Sequence, residues 1–290
     1  MNLMRVGAMF AVVAAVAACK HEGGPFTTAP TPTAGLRYVN IIPDRGAVDF
    51  RIIDAVAFAP SAYAATFRTG GSPNGVPTAF LPAHLATAAG DHRIRVFWSS
   101  TNADTARIVL LDTTLTFTAG INYTFFAYGY TTAGQTPALR AFVTADTAPD
   151  PASNVAFRAL HLGPAGVPAN VDVYITTAAT PTGTPTFANV ALGGVTGYTT
   201  VTRGALRAIV TPVATPATVT ASVVAPAGVA ADTVARPQLD PIAGANQAGS
   251  VITAVIVPPS LAGSTAPQTA AFLVPTVLFL IDRNPPRIMP

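Results

Sequence analysis

Arginine and aspartate recur at matching places in two parts of the chain. Arg37 and Arg158 each lie at the start of an apolar run, and Asp49 and Asp172 follow them after a proline. Each arginine shares a strand face with apolar residues, where a charge without a partner is costly. We therefore expect structural ion pairs between adjacent strands, one per part. The alternative is a duplicated site for a carboxylate or phosphate group.

Other side chains do not form a pattern typical of catalysis or metal binding. The histidines are widely separated, and the neighbours Asp91 and His92 point to opposite faces of a strand. Calcium ligation needs a denser acidic loop than this chain offers. The Gly-x-Ser-x-Gly elbow is missing, and the only glutamate is Glu22. We expect no metal, no cofactor and no enzymatic activity, with a site assembled only in the fold as a weaker alternative.

The single cysteine, Cys19, closes a segment that is typical of a bacterial export signal. Arg5 precedes an uncharged apolar run over residues 6–18, and small residues precede the cysteine. The run is too short to span a bilayer, which needs roughly 20 residues. Val16 to Cys19 resembles a lipobox, which implies cleavage before Cys19 and acyl chains on its sulfur. An ordinary signal peptide and a membrane-anchor helix are the alternatives.

The residues after Cys19 predict a location and a spacer. Lys20 stands where an aspartate would retain an enteric-type lipoprotein in the inner membrane, so the outer membrane of a Gram-negative envelope is expected. Residues 19–35 are rich in threonine and proline and cannot build a core. They are predicted to form a flexible tether after a signal peptide at residues 1–18.

The composition indicates an exported β-protein. Half of the 290 residues are apolar and 10% are charged, against about 25% charged in typical soluble proteins. The arginines are scattered singly, so no basic stripe for nucleic acid is present. The most apolar late segment, Ala271–Ile281, is interrupted by Pro275 and predicts buried strands rather than a membrane span.

The chain beyond the tether is predicted to repeat. Leu36–Pro43 matches Phe157–Pro164, and the segment at Gly120 matches the one at Gly244. Short runs with alternating apolar and hydroxyl residues are separated by glycine and proline, which is typical of β-sandwiches. We predict two sandwich domains at residues 36–148 and 154–286.

Two local predictions follow from the same pattern. Residues 118–121 are expected to form a hairpin turn between the strands on either side. The aromatic residues from Phe125 onward are mostly core, with Tyr128 and Tyr130 as the alternative lining of an exposed binding face.

The opening of each repeat resembles a known family. Arg37-x-x-Asn40-x-x-Pro43 and Arg158-x-x-His161-x-x-Pro164, each followed by a Val-Asp strand, are similar to DUF4397 domains. The resemblance covers about residues 36–145 and 155–285. It implies tandem Ig-like or transthyretin-like sandwiches at the cell surface, and it supplies no activity.

These patterns favour an envelope lipoprotein that is held to the membrane through Cys19. The expected role is that of a non-enzymatic structural, adhesive or protein-interaction module. The alternative is a surface or periplasmic binding module for a small ligand or a glycan. The expected partner is therefore an envelope protein or a glycan.

Overall fold

The computed structural model describes residues 31–54, 64–65, 84–231 and 240–287. The contacts divide the chain into Met1–Pro32 and Thr33–Pro290, and the fold below is that of the second unit. The predicted signal peptide, Cys19 and residues 19–30 of the predicted tether lie outside the described residues. Within the described residues, no helix is long and apolar enough to cross a membrane.

The regular secondary structure of the described residues is nearly all β, which confirms the predicted all-β class: 46% of these residues are in strands and 3% in helices. Helix α1 spans Ala103–Ala106, and a 3-10 helix spans Ala270–Phe272. The strands are β1 (Thr33–Ile41), β2 (Val48–Ile52), β3 (Ala64–Ala65), β4 (Leu85–Ala88), β5 (Gly90–Trp98), β6 (Val109–Phe117), β7 (Asn122–Tyr128), β8 (Arg140–Ala145), β9 (Val155–His161), β10 (Asn170–Thr176), β11 (Phe187–Ala191), β12 (Thr199–Val201), β13 (Arg207–Pro212), β14 (Ala221–Val224), β15 (Val251–Val257) and β16 (Thr276–Arg283).

The strands form four sheets, two in the first half of the unit (β1–β8) and two in the second half (β9–β16). In the first half, sheet 1 has the order β3-β2-β5-β6 and sheet 2 the order β4-β1-β7-β8. In the second half, sheet 3 has the order β12-β9-β15-β16 and sheet 4 the order β11-β10-β13-β14. Sheets 2 and 3 each contain one parallel pair of strands, β1 with β7 in sheet 2 and β9 with β15 in sheet 3. The two halves therefore share one strand order.

Three hydrophobic cores separate the four sheets, so that two sandwiches stack back to back. Alternate side chains of a strand point to opposite faces. Leu36 and Tyr38 therefore enter the core between sheets 1 and 2, whereas Val39 and Ile41 face the second half. The core between the halves, which we call the inter-half core, is made of Val39, Ile41, Phe126, Tyr128, Leu160, Leu162, Val255, Val257, Leu278 and Leu280.

Burial on both faces explains the continuous apolar runs of the inner strands. Every residue of β9 and of β15 is buried. A strand that is buried on both faces has no solvent-facing side that would require polar residues. The apolar segment Ala271–Ile281 forms the 3-10 helix and then the single strand β16 rather than a pair of strands.

Two local predictions differ from the structure, and a third, that the aromatic residues from Phe125 onward are mostly core, agrees with it and excludes the alternative of an exposed face at Tyr128 and Tyr130. Strand β1 begins at Thr33, inside the predicted tether, because Ala34 packs into the core. Residues 118–121 connect β6 of sheet 1 to β7 of sheet 2 and so form a corner between sheets, not a hairpin. Tyr128 and Tyr130 are buried, because this segment lies inside the stack.

Candidate functional site: a buried arginine and aspartate quartet

Two arginines enter the space between the halves from equivalent strands. Arg37 in β1 and Arg158 in β9 point to the same side as the inter-half core, and they are 1% and 5% exposed. In the parallel neighbour strands, Arg37 lies opposite Thr124 and Arg158 opposite Thr253. The same backbone register thus places an arginine beside a threonine in both halves.

Each arginine binds the threonine of its own half. Arg37 Nε donates to Thr124 Oγ1 at 2.9 Å, and Arg158 Nε donates to Thr253 Oγ1 at 2.7 Å. Each threonine hydroxyl in turn donates to an aspartate of the same half: Thr124 to Asp146 at 2.5 Å, and Thr253 to Asp282. Asp146 follows β8 directly, and Asp282 lies in β16.

The ion pairs of this cluster cross between the halves. Arg37 Nη2 lies 2.7 Å from Asp282 Oδ1, and Arg158 Nη2 bonds Asp146 Oδ1. A longer contact of 3.4 Å joins Arg37 to Asp146. The side chains of both aspartates are 0% exposed. These four residues, which we call the Arg/Asp quartet, carry two positive and two negative charges and lock sheet 2 to sheet 3.

Two further side chains close the ends of the quartet at equivalent positions. His84 directly precedes β4, and its Nε2 lies 2.9 Å from Asp146 Oδ2. Tyr198 directly precedes β12, and its hydroxyl donates to Asp282 Oδ2 at 3.0 Å. The Tyr198 ring also lies 4.8 Å from the guanidinium carbon of Arg158. Every carboxylate of the quartet thus has several donors.

The electrostatics hold the quartet in its charged form. Burial raises the pKa of Asp146, but the hydrogen bond with His84 and the charges of Arg37 and Arg158 outweigh burial and lower that pKa overall. Burial lowers the pKa of Arg158, but Asp282 and Asp146 reverse this and raise it. Burial and Asp282 raise the pKa of Tyr198. The groups stabilise one another's charges, which is the opposite of a carboxylate poised to exchange a proton.

A comparison with protein families finds a match, over part of the chain. Residues 34–168 match the family model described as Domain of unknown function (DUF4397). A DUF4397 domain lies at residues 34–168. No curated protein matches the chain. The matched region covers the first half and continues through β9, so that it includes Arg37, Asp146 and Arg158 and leaves out Asp282.

Neither Arg37 nor Arg158 pairs with the aspartate expected from the sequence. Asp49 lies on the outward face of sheet 1, where it pairs with Arg51 at 3.2 Å. Asp172 lies on the outward face of sheet 4 and accepts backbone N–H groups from Asn189 at 2.8 Å and Ala214 at 2.9 Å. Arg37 and Arg158 instead face the space between the halves, so strand alternation separates each arginine from the aspartate predicted to pair with it.

Asp172 has a structural task of its own. Asn189 and Ala214 have φ values of 53° and 55°, in the left-handed region that non-glycine residues rarely adopt. The carboxylate holds the N–H groups of both residues and so stabilises two strained positions at once.

Asn40 of the first half and His161 of the second half perform the same task. Asn40 accepts the N–H of Ile42 at 3.0 Å and donates to the Gly46 carbonyl at 2.8 Å. His161 Nδ1 accepts the N–H of Gly163 at 3.2 Å, so Nε2 carries the hydrogen that bonds the Pro168 carbonyl at 2.8 Å. Burial lowers the pKa of His161, which keeps it neutral.

The remaining histidines of the described residues do not assemble a metal centre. His92 lies 3.0 Å from Asp54, and His84 belongs to the quartet, while His21 lies outside the described residues. Across residues 31–54, 84–231 and 240–287, no group of three or more His, Cys, Asp or Glu could hold a metal ion.

Sequence reasoning missed the two aspartates and two threonines of the cluster. A signal for the aspartates was present, because Asp146 and Asp282 each lie at the end of the last strand of a half. The threonines had no such signal, since the chain is rich in threonine throughout.

Proposed function

We propose that this protein is a lipid-anchored lipoprotein of the cell envelope whose strand unit is a rigid, non-enzymatic interaction module. One observation carries the second part of the proposal. The most concentrated set of ionisable side chains among the described residues is the Arg/Asp quartet, and its members are buried and bonded to one another. Buried polar groups that are fully hydrogen-bonded to one another make a fold rigid, and they have no donor or acceptor left to bind a substrate.

The anchor is supported by the sequence around Cys19. The basic residue, the short apolar run and the small residues before the only cysteine are those of a lipoprotein signal. Two or more acyl chains hold a protein stably at a membrane, whereas one chain does so only marginally. The outer membrane is the proposed destination because Lys20 follows the cysteine.

We also infer that residues 154–286 are a second copy of the DUF4397 domain, in tandem with the first at 36–148. Support comes from the shared strand order of the halves and from the Arg, Thr and Asp residues at equivalent places. The Ig-like or transthyretin-like character of the sandwiches belongs to the same inference.

Fractionation of cells tests the anchor. The wild-type protein is expected in the membrane fraction, released by detergent only, with acyl mass on Cys19. Cys19→Ala is expected in the soluble fraction. Lys20→Asp is the matched control, since it keeps the acylated sulfur and should move the protein to the inner membrane. A wild-type protein that is soluble without detergent would contradict the anchor.

Affinity capture from envelope extracts tests the interaction module. Immobilised Cys19→Ala protein is expected to retain a defined envelope component that the heat-denatured bait does not retain. If no component is retained and a defined metabolite or sugar raises the melting temperature instead, the protein is a ligand-binding module and the proposed class is wrong.

A further inference from the structure

Arg45 lies in the loop between β1 and β2, where two neighbouring side chains fix its guanidinium group. The guanidinium carbon lies 4.0 Å from the centroid of the Trp98 ring. Nε donates to Thr131 Oγ1 at 2.7 Å. Stacking sets the plane of the guanidinium, and the Nε bond sets its rotation within that plane. Arg45 is therefore held in one orientation.

The support under Arg45 is itself rigid. Thr131 Oγ1 donates to Asp44 Oδ2 at 3.0 Å, and Asp44 is 2% exposed. Asp44 also accepts the N–H groups of Thr131 at 3.1 Å and of Thr132 at 2.7 Å. The Asp44 carboxylate is thus held by hydrogen-bond donors of the loop after β7, and no ion pair joins it to Arg45 among the described residues.

Among the described residues, no protein group occupies the outer edge of the Arg45 guanidinium. Within the described residues, neither Nη1 nor Nη2 has a hydrogen-bond partner, and no carboxylate pairs with this half-buried cation. The two Nη groups form the edge that binds a carboxylate through two parallel hydrogen bonds. An oriented, half-buried arginine with this edge free is suited to binding an anionic group of a ligand.

The second half shows that the fold does not need this arginine. The turn at Pro43 matches the turn at Pro164, which puts Gly166 where the first half has Arg45. Trp98 lies opposite Val48 in sheet 1, and Pro212 lies opposite Val171 in sheet 4. The second half therefore forms the same strands although it has neither the arginine of Arg45 nor the indole ring of Trp98 at these places. The quartet, by contrast, draws on both halves equally.

We propose that Arg45, held by Trp98 and Thr131, binds a carboxylate group of a ligand. Planar bidentate recognition by arginine favours a carboxylate over a neutral sugar hydroxyl. A uronic acid of an envelope glycan and the terminal carboxylate of a peptide present the same group. The Arg45 site does not depend on the lipid anchor at Cys19. A negative result for carboxylate binding therefore leaves the proposed anchor untouched, and a negative result for the anchor leaves the Arg45 site untouched.

The fluorescence of Trp98 reports on the site, because it is the only tryptophan of the chain. The purified protein is titrated with galacturonate and with N-acetylglycine, and with galactose and N-acetylglycinamide as the neutral counterparts. We expect a saturable change in emission with at least one acid, at a dissociation constant of about 1 mM, and no change with either neutral compound. Galacturonate alone would assign a glycan, N-acetylglycine alone a peptide end, and both a general carboxylate site.

Variants of Arg45 decide whether the response arises at this residue. Arg45→Lys keeps the charge but loses the planar fork, so affinity measured by calorimetry should fall at least about 10-fold. Arg45→Met should abolish binding. Arg140→Met is the control, because Arg140 is exposed, its guanidinium carbon lies 5.8 Å from the Tyr128 ring, and its Nε bonds a backbone carbonyl. The inference is overturned if neither acid binds, or if Arg45→Met binds as the wild type does.

Discussion

At the scale of single residues, the Arg/Asp quartet places four buried charges beside the inter-half core. Removing one partner of a buried ion pair leaves the other charge buried and uncompensated, which typically costs more than the intact pair contributes. The quartet differs in this respect from exposed pairs such as Arg107–Asp104, whose side chains are 78% and 80% exposed.

Asp146→Asn should therefore destabilise the protein strongly. The change removes the charge that Arg158 and His84 face, and we expect the free energy of unfolding to fall by about 3 kcal/mol. Urea denaturation gives the value. Asp104→Asn is the control and should change stability by less than about 0.5 kcal/mol, since an exposed pair contributes little. Equal effects of the two substitutions would show that the quartet is energetically unimportant.

The pH dependence of stability should show the contribution of Asp146. The pKa of its carboxyl is lower in the folded than in the unfolded protein: burial raises it, but the His84 hydrogen bond and the two arginines outweigh burial. The resulting stabilisation is complete above the ordinary aspartate pKa of about 3.9 and is lost as pH falls toward the folded-state pKa. Unfolding free energies measured downward from neutral pH should thus decline more steeply below about pH 4 in the wild type than in Asp146→Asn. Parallel profiles would contradict this assignment.

At the scale of elements, one turn is braced by different residues in the two halves. Asn40 and His161 each accept the N–H two residues later and donate to a carbonyl farther along the loop. The hydrogen-bonding pattern, rather than imidazole chemistry, is what the turn requires.

The substitution His161→Asn should accordingly be tolerated better than His161→Ala. Asparagine can restore both hydrogen bonds, whereas alanine leaves the buried N–H of Gly163 and the partly buried carbonyl of Pro168 unpaired, at a cost of about 1–3 kcal/mol. Thermal melts of the two variants give the comparison. If both variants melt at the same temperature, the two hydrogen bonds do not stabilise the turn.

Several elements could be predicted from the sequence, and the reasons for success and failure are physical. Alternation along β1 correctly placed Arg37 on the face of Val39 and Ile41, since the period of a strand is fixed. The partner of Arg37 could not be found the same way, because Asp282 is 245 positions away and reaches it only through the packing of one half on the other.

The register of one predicted match was wrong for a related reason. The structural counterpart of Gly120 is Gly249, not Gly244. The φ values of Gly120 and Gly249 are 77° and 83°, and each N–H bonds the carbonyl four residues before the arginine of its half, at Thr33 and Asn154. Positive φ favours glycine at the turn but places no such constraint on the neighbouring residues. Local sequence similarity therefore misplaced the turn.

At the scale of the whole molecule, the two halves share a buried apolar core and crossed ion pairs. Interfaces of this kind make domains unfold together, in contrast to domains joined by a polar interface. We expect calorimetry to show a single transition whose calorimetric and van't Hoff enthalpies agree. Two resolved transitions in the wild type would mean that the halves are independent domains.

The central claim is that the arginines bind across the halves rather than to the aspartates of their own outer sheets. A double-mutant cycle of Arg37→Met and Asp282→Asn measures this coupling directly, with Arg37→Met and Asp49→Asn as the parallel cycle. We predict a coupling free energy of about 2 kcal/mol in the first cycle and additivity within about 0.5 kcal/mol in the second. Additive effects for Arg37 with Asp282, or strong coupling of Arg37 with Asp49, would contradict the crossed quartet.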